Sequence, residues 1–203
     1  MRKQNISQLF AVADSVVQAV SDSANISVKI RVGFDSDDEL YNITETILRA
    51  GIRTFICHFR TVKEMYNPPN EPLKRLSELR RILPQNAILI GNGDVSSVSD
   101  AFRLCNETGC DGVAVGRAIL TDPFLLQKIA NNDSEPASDE QRIAFLRAII
   151  ESARELNCFT KKWLVKSFVG YARMSFSFHS PIFKKIVANP ALWVKKIETG
   201  NVF

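Results

Sequence analysis

Long apolar runs are missing from this sequence, and none approaches the roughly 18 residues that a membrane-spanning helix needs. Histidine occurs twice and cysteine four times. The cysteines, Cys57, Cys105, Cys110 and Cys158, lack metal-type pairing: Cys105 and Cys110 are not a C-x₂-C pair, and no histidine lies near them. They read as reduced structural thiols, and no metal site is expected. The N-terminus, Met1-Arg2-Lys3-Gln4-Asn5, leads into an amphipathic stretch rather than a signal-type apolar core, so a cytoplasmic location is expected. There is no internal sequence repeat.

The 203 residues, 45% hydrophobic and 24% charged, can bury a core, which excludes disorder and a disulfide-stapled mini-protein. The length suits one domain plus a small second one, and falls short of the roughly 250 residues of a complete (β/α)₈ barrel. Charge is unevenly spread. Residues 1–138 carry 15 Lys+Arg against 17 Asp+Glu, whereas residues 139–203 carry 11 against 5. A basic module beside a near-neutral one points to a polyanionic partner, nucleic acid above all, with a solvated basic face as the alternative.

Residues 6–20 show helical spacing, with Leu9, Val12, Ala13, Val16 and Val20 on one face. Strand patterns follow at 28–32, 54–58, 87–90 and 112–115, separated by helical patterns at 40–50, 73–83 and 98–108, with a short helix after Pro123. Alternation at about 30 residues per unit implies parallel strands with right-handed crossovers. The segment 131–138 is polar and turn-rich and reads as a linker. Beyond it Ser138-Asp139-Glu140-Gln141 forms a capping box, and further helices are expected over 160–174, 180–188 and 190–198. The expected organisation is a half-sized α/β unit over 1–130, a linker over 131–138 and a basic helical domain over 139–203.

Side chains two apart on a strand share a face. Lys29 and Arg31 lie on one face of the first strand, opposite Val28, Ile30 and Val32. His58 and Arg60 share a face of the second with Ile56, opposite Phe55, Cys57 and Phe59. Ile90, Asn92 and Asp94 share a face of the third. Polar groups at the C-terminal ends of three consecutive strands mark where α/β enzymes build their sites. Gly116-Arg117 follows the fourth strand as Gly91-Asn92-Gly93 follows the third, and glycine backbone with a guanidinium suits an anionic, phosphate-bearing ligand.

Val28-Lys29-Ile30-Arg31-Val32-Gly33, His58-Phe59-Arg60-Thr61, Asn92-Gly93-Asp94 and Gly116-Arg117-Ala118 with Pro123 together resemble the flavin-dependent tRNA-dihydrouridine synthases over roughly residues 1–130. Tyr66 stands where that family often has a tyrosine, and the basic tail resembles its C-terminal tRNA-binding domain. The resemblance implies the C-terminal half of a TIM-type (β/α)₈ barrel, about four parallel strands, followed by a small all-α domain. It implies FMN as cofactor, NADPH as reductant and a uridine of tRNA as substrate. Lys29 resembles the lysine beside the flavin ring, and His58 the histidine that contacts it. Asn92, Gly93 and Asp94 resemble the loop over the ribityl-phosphate, and Gly116 and Arg117 its phosphate clamp. Arg31, Arg60, Lys161, Lys162 and Lys166 are the candidates for RNA contact.

This sequence departs from the family at Phe59, where glycine or alanine is usual. The opening strands and the Asn-x-Gly-Cys-Pro loop with its general-acid cysteine have no counterpart, so no catalytic residue is assigned. The expectation is a truncated or split chain whose open barrel edges favour a missing N-terminal half or self-association. A non-catalytic RNA-binding remnant and another flavin- or phosphate-binding barrel oxidoreductase remain as alternatives. His179 reads as a surface or capping residue, Trp163 and Trp193 as core with base stacking the alternative, and Asp35, Asp37, Asp38 and Glu39 as a helix N-terminal charge cluster.

Overall fold

The structure, a computed structural model, describes residues 5–20, 24–65 and 67–202; Tyr66 lies outside them. Four strands, β1 (Ser27–Arg31), β2 (Thr54–His58), β3 (Ile88–Asn92) and β4 (Gly112–Ala114), form one sheet in the order β1-β2-β3-β4, every pair parallel. Strand order follows the chain without reversal. Right-handed crossovers then place all the connecting helices on one face, the arrangement of one arc of a (β/α)₈ barrel. Helix α1 (Ile6–Val20) precedes β1, and the connecting helices are α2 (Leu40–Arg49), α3 (Pro72–Ile82) and α4 (Val98–Thr108).

Local chemistry sets these boundaries. Ser97 accepts the Asp100 amide at 3.1 Å to start α4, and Gly109, at φ 71°, ends it. Ser36 and Glu39 form a reciprocal capping box ahead of α2. Burial alternates along β2: Phe55 and Cys57 are inaccessible, while Thr54, Ile56 and His58 are half-exposed. Phe55, Leu89, Ile47, Leu76, Leu79 and Leu104 form the layer between sheet and helices. Truncating one such aromatic to alanine costs about 3–5 kcal/mol. The opposite face carries the other strand residues and is the one with the polar side chains.

The chain divides into two compact units, Met1–Gly116 and Arg117–Phe203. The polar segment 131–138 lies inside the second unit, as do all the helices expected beyond it. That unit starts with a 3₁₀ turn (Arg117–Leu120) and continues through α5 (Leu125–Asn131) and α6 (Asp139–Glu155). Ser138 and Gln141 close the capping box of α6. The single helix expected over 160–174 is three segments: α7 (Lys161–Trp163), a π-helical stretch (Leu164–Phe168) and α8 (Val169–Ser175). Then come α9 (Pro181–Ala188) and α10 (Pro190–Thr199). Leu146, Ile150, Phe168, Ala172, Phe183, Ile186, Trp193 and Ile197 make its own core, with Trp163 packed against it.

Candidate functional site

The parallel register aligns Arg31 with His58, His58 with Asn92, and Asn92 with Ala114. Register neighbours share a face, so the C-terminal ends of β1, β2 and β3 carry one continuous polar row. Lys29 sits two residues back on the same face, in line with Ile56 and Ile90. Its Nζ donates to Asn92 Oδ1 at 3.3 Å, while Asn92 Nδ2 donates to the Ala114 carbonyl at 2.8 Å. The asparagine therefore ties β1 to β4 across this face. Arg31 donates to the Thr61 carbonyl at 2.7 Å.

His58 accepts the Arg60 backbone N–H on Nδ1 at 3.1 Å. The neutral ring then carries its proton on Nε2, which is a donor. Burial lowers the His58 pKa to about 4, helped by the positive charges of Arg31, Arg60 and Lys29 and partly opposed by Asp94. At neutral pH the row thus presents an uncharged imidazole among cations, a setting that favours an anionic ligand with hydrogen-bond acceptors.

Two candidate residues stand differently from their place in the strand pattern. β2 ends at His58 and β3 at Asn92, so Arg60 and Asp94 belong to the loops beyond them, Asp94 at φ 47°. The two meet as a bidentate pair, Arg60 NH1 to Asp94 Oδ1 at 2.9 Å and NH2 to Oδ2 at 2.5 Å. Arg60 is nearly buried (7% of its side chain exposed, against 51% for Asp94) and also donates through Nε to the Asn67 carbonyl at 2.9 Å. Its guanidinium lies 5.1 Å from the Phe59 ring centroid. Phe59 is buried on the helix-facing side and packs against Gly93, where a Cβ would stand 2.3 Å from the ring.

The sequence pattern gave no sign of what braces this loop. Arg75 holds Glu64 with both terminal nitrogens, at 2.8 and 3.0 Å, and Asp37 through Nε at 2.7 Å. Glu64 in turn accepts the Thr61 amide at 2.7 Å, and the hydrogen bonds from Arg75 keep its carboxyl below the usual range. These partners are far apart in sequence and have no periodicity, so only the fold brings them together.

Gly116 closes the first unit and Arg117 opens the second; a Cβ added at Gly116 would meet nothing within 4 Å. Lys161, Lys162 and Lys166 are exposed on the helical unit, as is His179. Cys57 faces the helices, and burial pushes its thiol up to about 12; burial raises Cys110 as well. Among the described residues no group of three or more His, Cys, Asp or Glu could hold a metal ion, and no helix is long and apolar enough to cross a membrane. Asp35, Asp37, Asp38 and Glu39 surround the Ser36 cap instead, where Glu39 accepts the Asp35 amide at 2.9 Å.

Comparison with known proteins bears on the whole arrangement. The profile of the Dihydrouridine synthase family matches residues 4–168. A probable tRNA-dihydrouridine synthase of Aquifex aeolicus is 33% identical over 121 residues, 60% of this chain and 37% of that protein. The tRNA-dihydrouridine(16) synthase of Haemophilus influenzae is 25% identical over 179 residues, 88% of this chain and 57% of that protein. The chain thus spans between 37% and 57% of the length of these two relatives.

Proposed function

The chain belongs to the dihydrouridine synthase family, and from that premise we propose that its sheet provides the FMN-binding half of a tRNA-dihydrouridine synthase. The observation that carries this reading is the row Arg31–His58–Asn92 with Lys29 beside it: two cations and two neutral polar groups on the face opposite the buried Phe55, Cys57 and Leu89. That donor set fits the phosphate and the electron-rich ring of a flavin. FMN bound there would supply hydride transfer, drawn from NADPH and delivered to a tRNA uridine to give 5,6-dihydrouridine.

Lys29, aimed by Asn92, places a positive charge against the ligand, and His58 donates from Nε2. Gly93 and Asp94 shape the loop after β3, and Asp94 fixes Arg60, which we assign as a positioning residue. Gly116 and Arg117, which the family resemblance gives as the phosphate clamp, are assigned the same role here. Arg31 remains a candidate for RNA contact, and Lys161, Lys162 and Lys166 are assigned to the tRNA backbone. Neither Cys57 nor Cys110 is assigned as the proton donor, since both are buried, Cys57 on the face of β2 opposite His58. In this reading the general acid and the closing strands come from a front half of the barrel; self-association through the open edges is the lesser form of completion, since a second copy brings strands but no such cysteine.

A flavin fluorescence titration of the purified chain tests the cofactor assignment. Saturable binding is expected, weakened about tenfold or more, or about 1.4 kcal/mol, by Lys29→Ala and by Arg117→Ala. A folded chain that leaves the flavin signal unchanged would overturn it. A second reading, RNA binding without flavin, is favoured by the self-contained core of the basic helical unit, and the same titration separates the two. The family match favours a tRNA uridine over a small molecule as the substrate.

A further inference from the structure

The helical unit carries a groove of about 650 Å³ between the first turn of α6, the end of α8 and the turn at 176–180. Its wall has two arginines, Arg142 and Arg173, and one carboxylate, Asp139. Arg142 reaches Asp139 at a long 3.3 Å, and its Nε is buried without an acceptor. Its guanidinium lies 5.9 Å from the centroid of Phe176. Arg173 is exposed, has no carboxylate partner among the described residues, and sits 5.4 Å from the ring of Phe178. Phe178 is 62% exposed, yet its ring is backed by the buried Phe183 at 5.6 Å. Ser177 and Ser180 add hydroxyls at the rim.

Each feature has a physical consequence. A guanidinium resting against an aromatic ring keeps its N–H fork available for an oxyanion, and the ring restricts its orientation. An exposed aromatic held from behind is a surface on which a flat π-system can lie, whereas a phenylalanine that merely completed a core would be covered. Cationic forks beside an exposed ring match a phosphate with an unstacked base next to it, which is the chemistry of unpaired RNA. A membrane surface would call for a broader apolar face, and a phosphopeptide gives no reason for the open ring.

We propose that this groove is an RNA subsite, in which Arg142 and Arg173 take a phosphodiester and Phe178 stacks on an adjoining unpaired base. The proposal rests on the tRNA reading above and adds to it residues distinct from Lys161, Lys162 and Lys166. Arg142, anchored at Asp139 and against Phe176, is the fixed half of the phosphate contact, and Arg173 the half that closes.

The test is fluorescence anisotropy of a labelled, unmodified tRNA transcript with the full chain, at salt concentrations between about 50 and 200 mM. Arg173→Gln is expected to weaken binding about fivefold and to lower the salt slope by about one. Phe178→Ala is expected to weaken it about tenfold with the slope unchanged, and Phe178→Tyr to restore it. Both side chains are exposed, and circular dichroism checks that the helices persist. Wild-type affinity in either Arg173→Gln or Phe178→Ala overturns the subsite and leaves the tRNA reading intact. Absence of tRNA binding by the unaltered chain at the lowest salt overturns both.

Discussion

His58 holds its proton weakly because it is half-buried among three positive side chains. Between its folded pKa of about 4 and its ordinary value of 6.5, the unfolded chain binds a proton that the folded chain does not. Stability from this residue is therefore complete above that window and is lost as pH falls through it. Denaturant unfolding at several pH values should show this decline, and His58→Gln, which cannot titrate, should flatten it. The Arg60–Asp94 pair gives a second, asymmetric expectation. Asp94→Asn keeps the left-handed backbone but leaves a buried guanidinium short of its partner, a loss of about 1–3 kcal/mol. Arg60→Met leaves only a half-exposed carboxylate that water can serve, so its cost should be smaller. Urea midpoints rank the two; the reverse order would show that Asp94 matters through contacts other than Arg60.

At the scale of elements, the turn after β3 is fixed by close packing. Gly93, at φ 137°, lies against the Phe59 ring, and an added Cβ would fall 2.3 Å from it. Gly93→Ala should cost about 1–3 kcal/mol as overpacking, plus backbone strain, and Phe59→Ala in the same chain should recover part of it. A thermal-melt double-mutant cycle reads that coupling. Why some elements were legible in sequence and others not follows the same logic. β2 and α4 read to the residue because a capping serine, a closing glycine and clean alternation all lie within the segment. β3 continues two residues past its apolar run because Asn92, a polar residue, completes the ladder. Arg60 and Asp94 were misplaced onto strand faces because a two-residue alternation was extended past the last ladder bonds. The polar row itself was visible from side-chain alternation. Its bracing by Arg75, Glu64 and Asp37 was not, since those contacts exist only once helices and loops are assembled. The π-helical stretch Leu164–Phe168 left no trace in the apolar pattern either, because it shifts the phase of the helix without breaking it.

For the whole molecule, the chain carries two separately cored units, the second rich in positive charge. Affinity for tRNA should therefore fall steeply with added salt, with Lys161→Gln, Lys162→Gln and Lys166→Gln each removing about one unit of the log–log slope if each meets a phosphate. A slope unaltered by all three would place the backbone contacts elsewhere. In the sheet, β1 and β4 each have one unpaired side among the described residues. Bare edges of this kind template growth of the sheet onto neighbouring molecules. Here β4 has only three residues, and β1 displays Lys29 and Arg31, so one margin is short and the other is charged. The cations read above as ligand contacts are thus also guards of solubility. Replacing both should turn a dispersed protein into a clouding one in light scattering, even where no flavin or RNA is present to be missed.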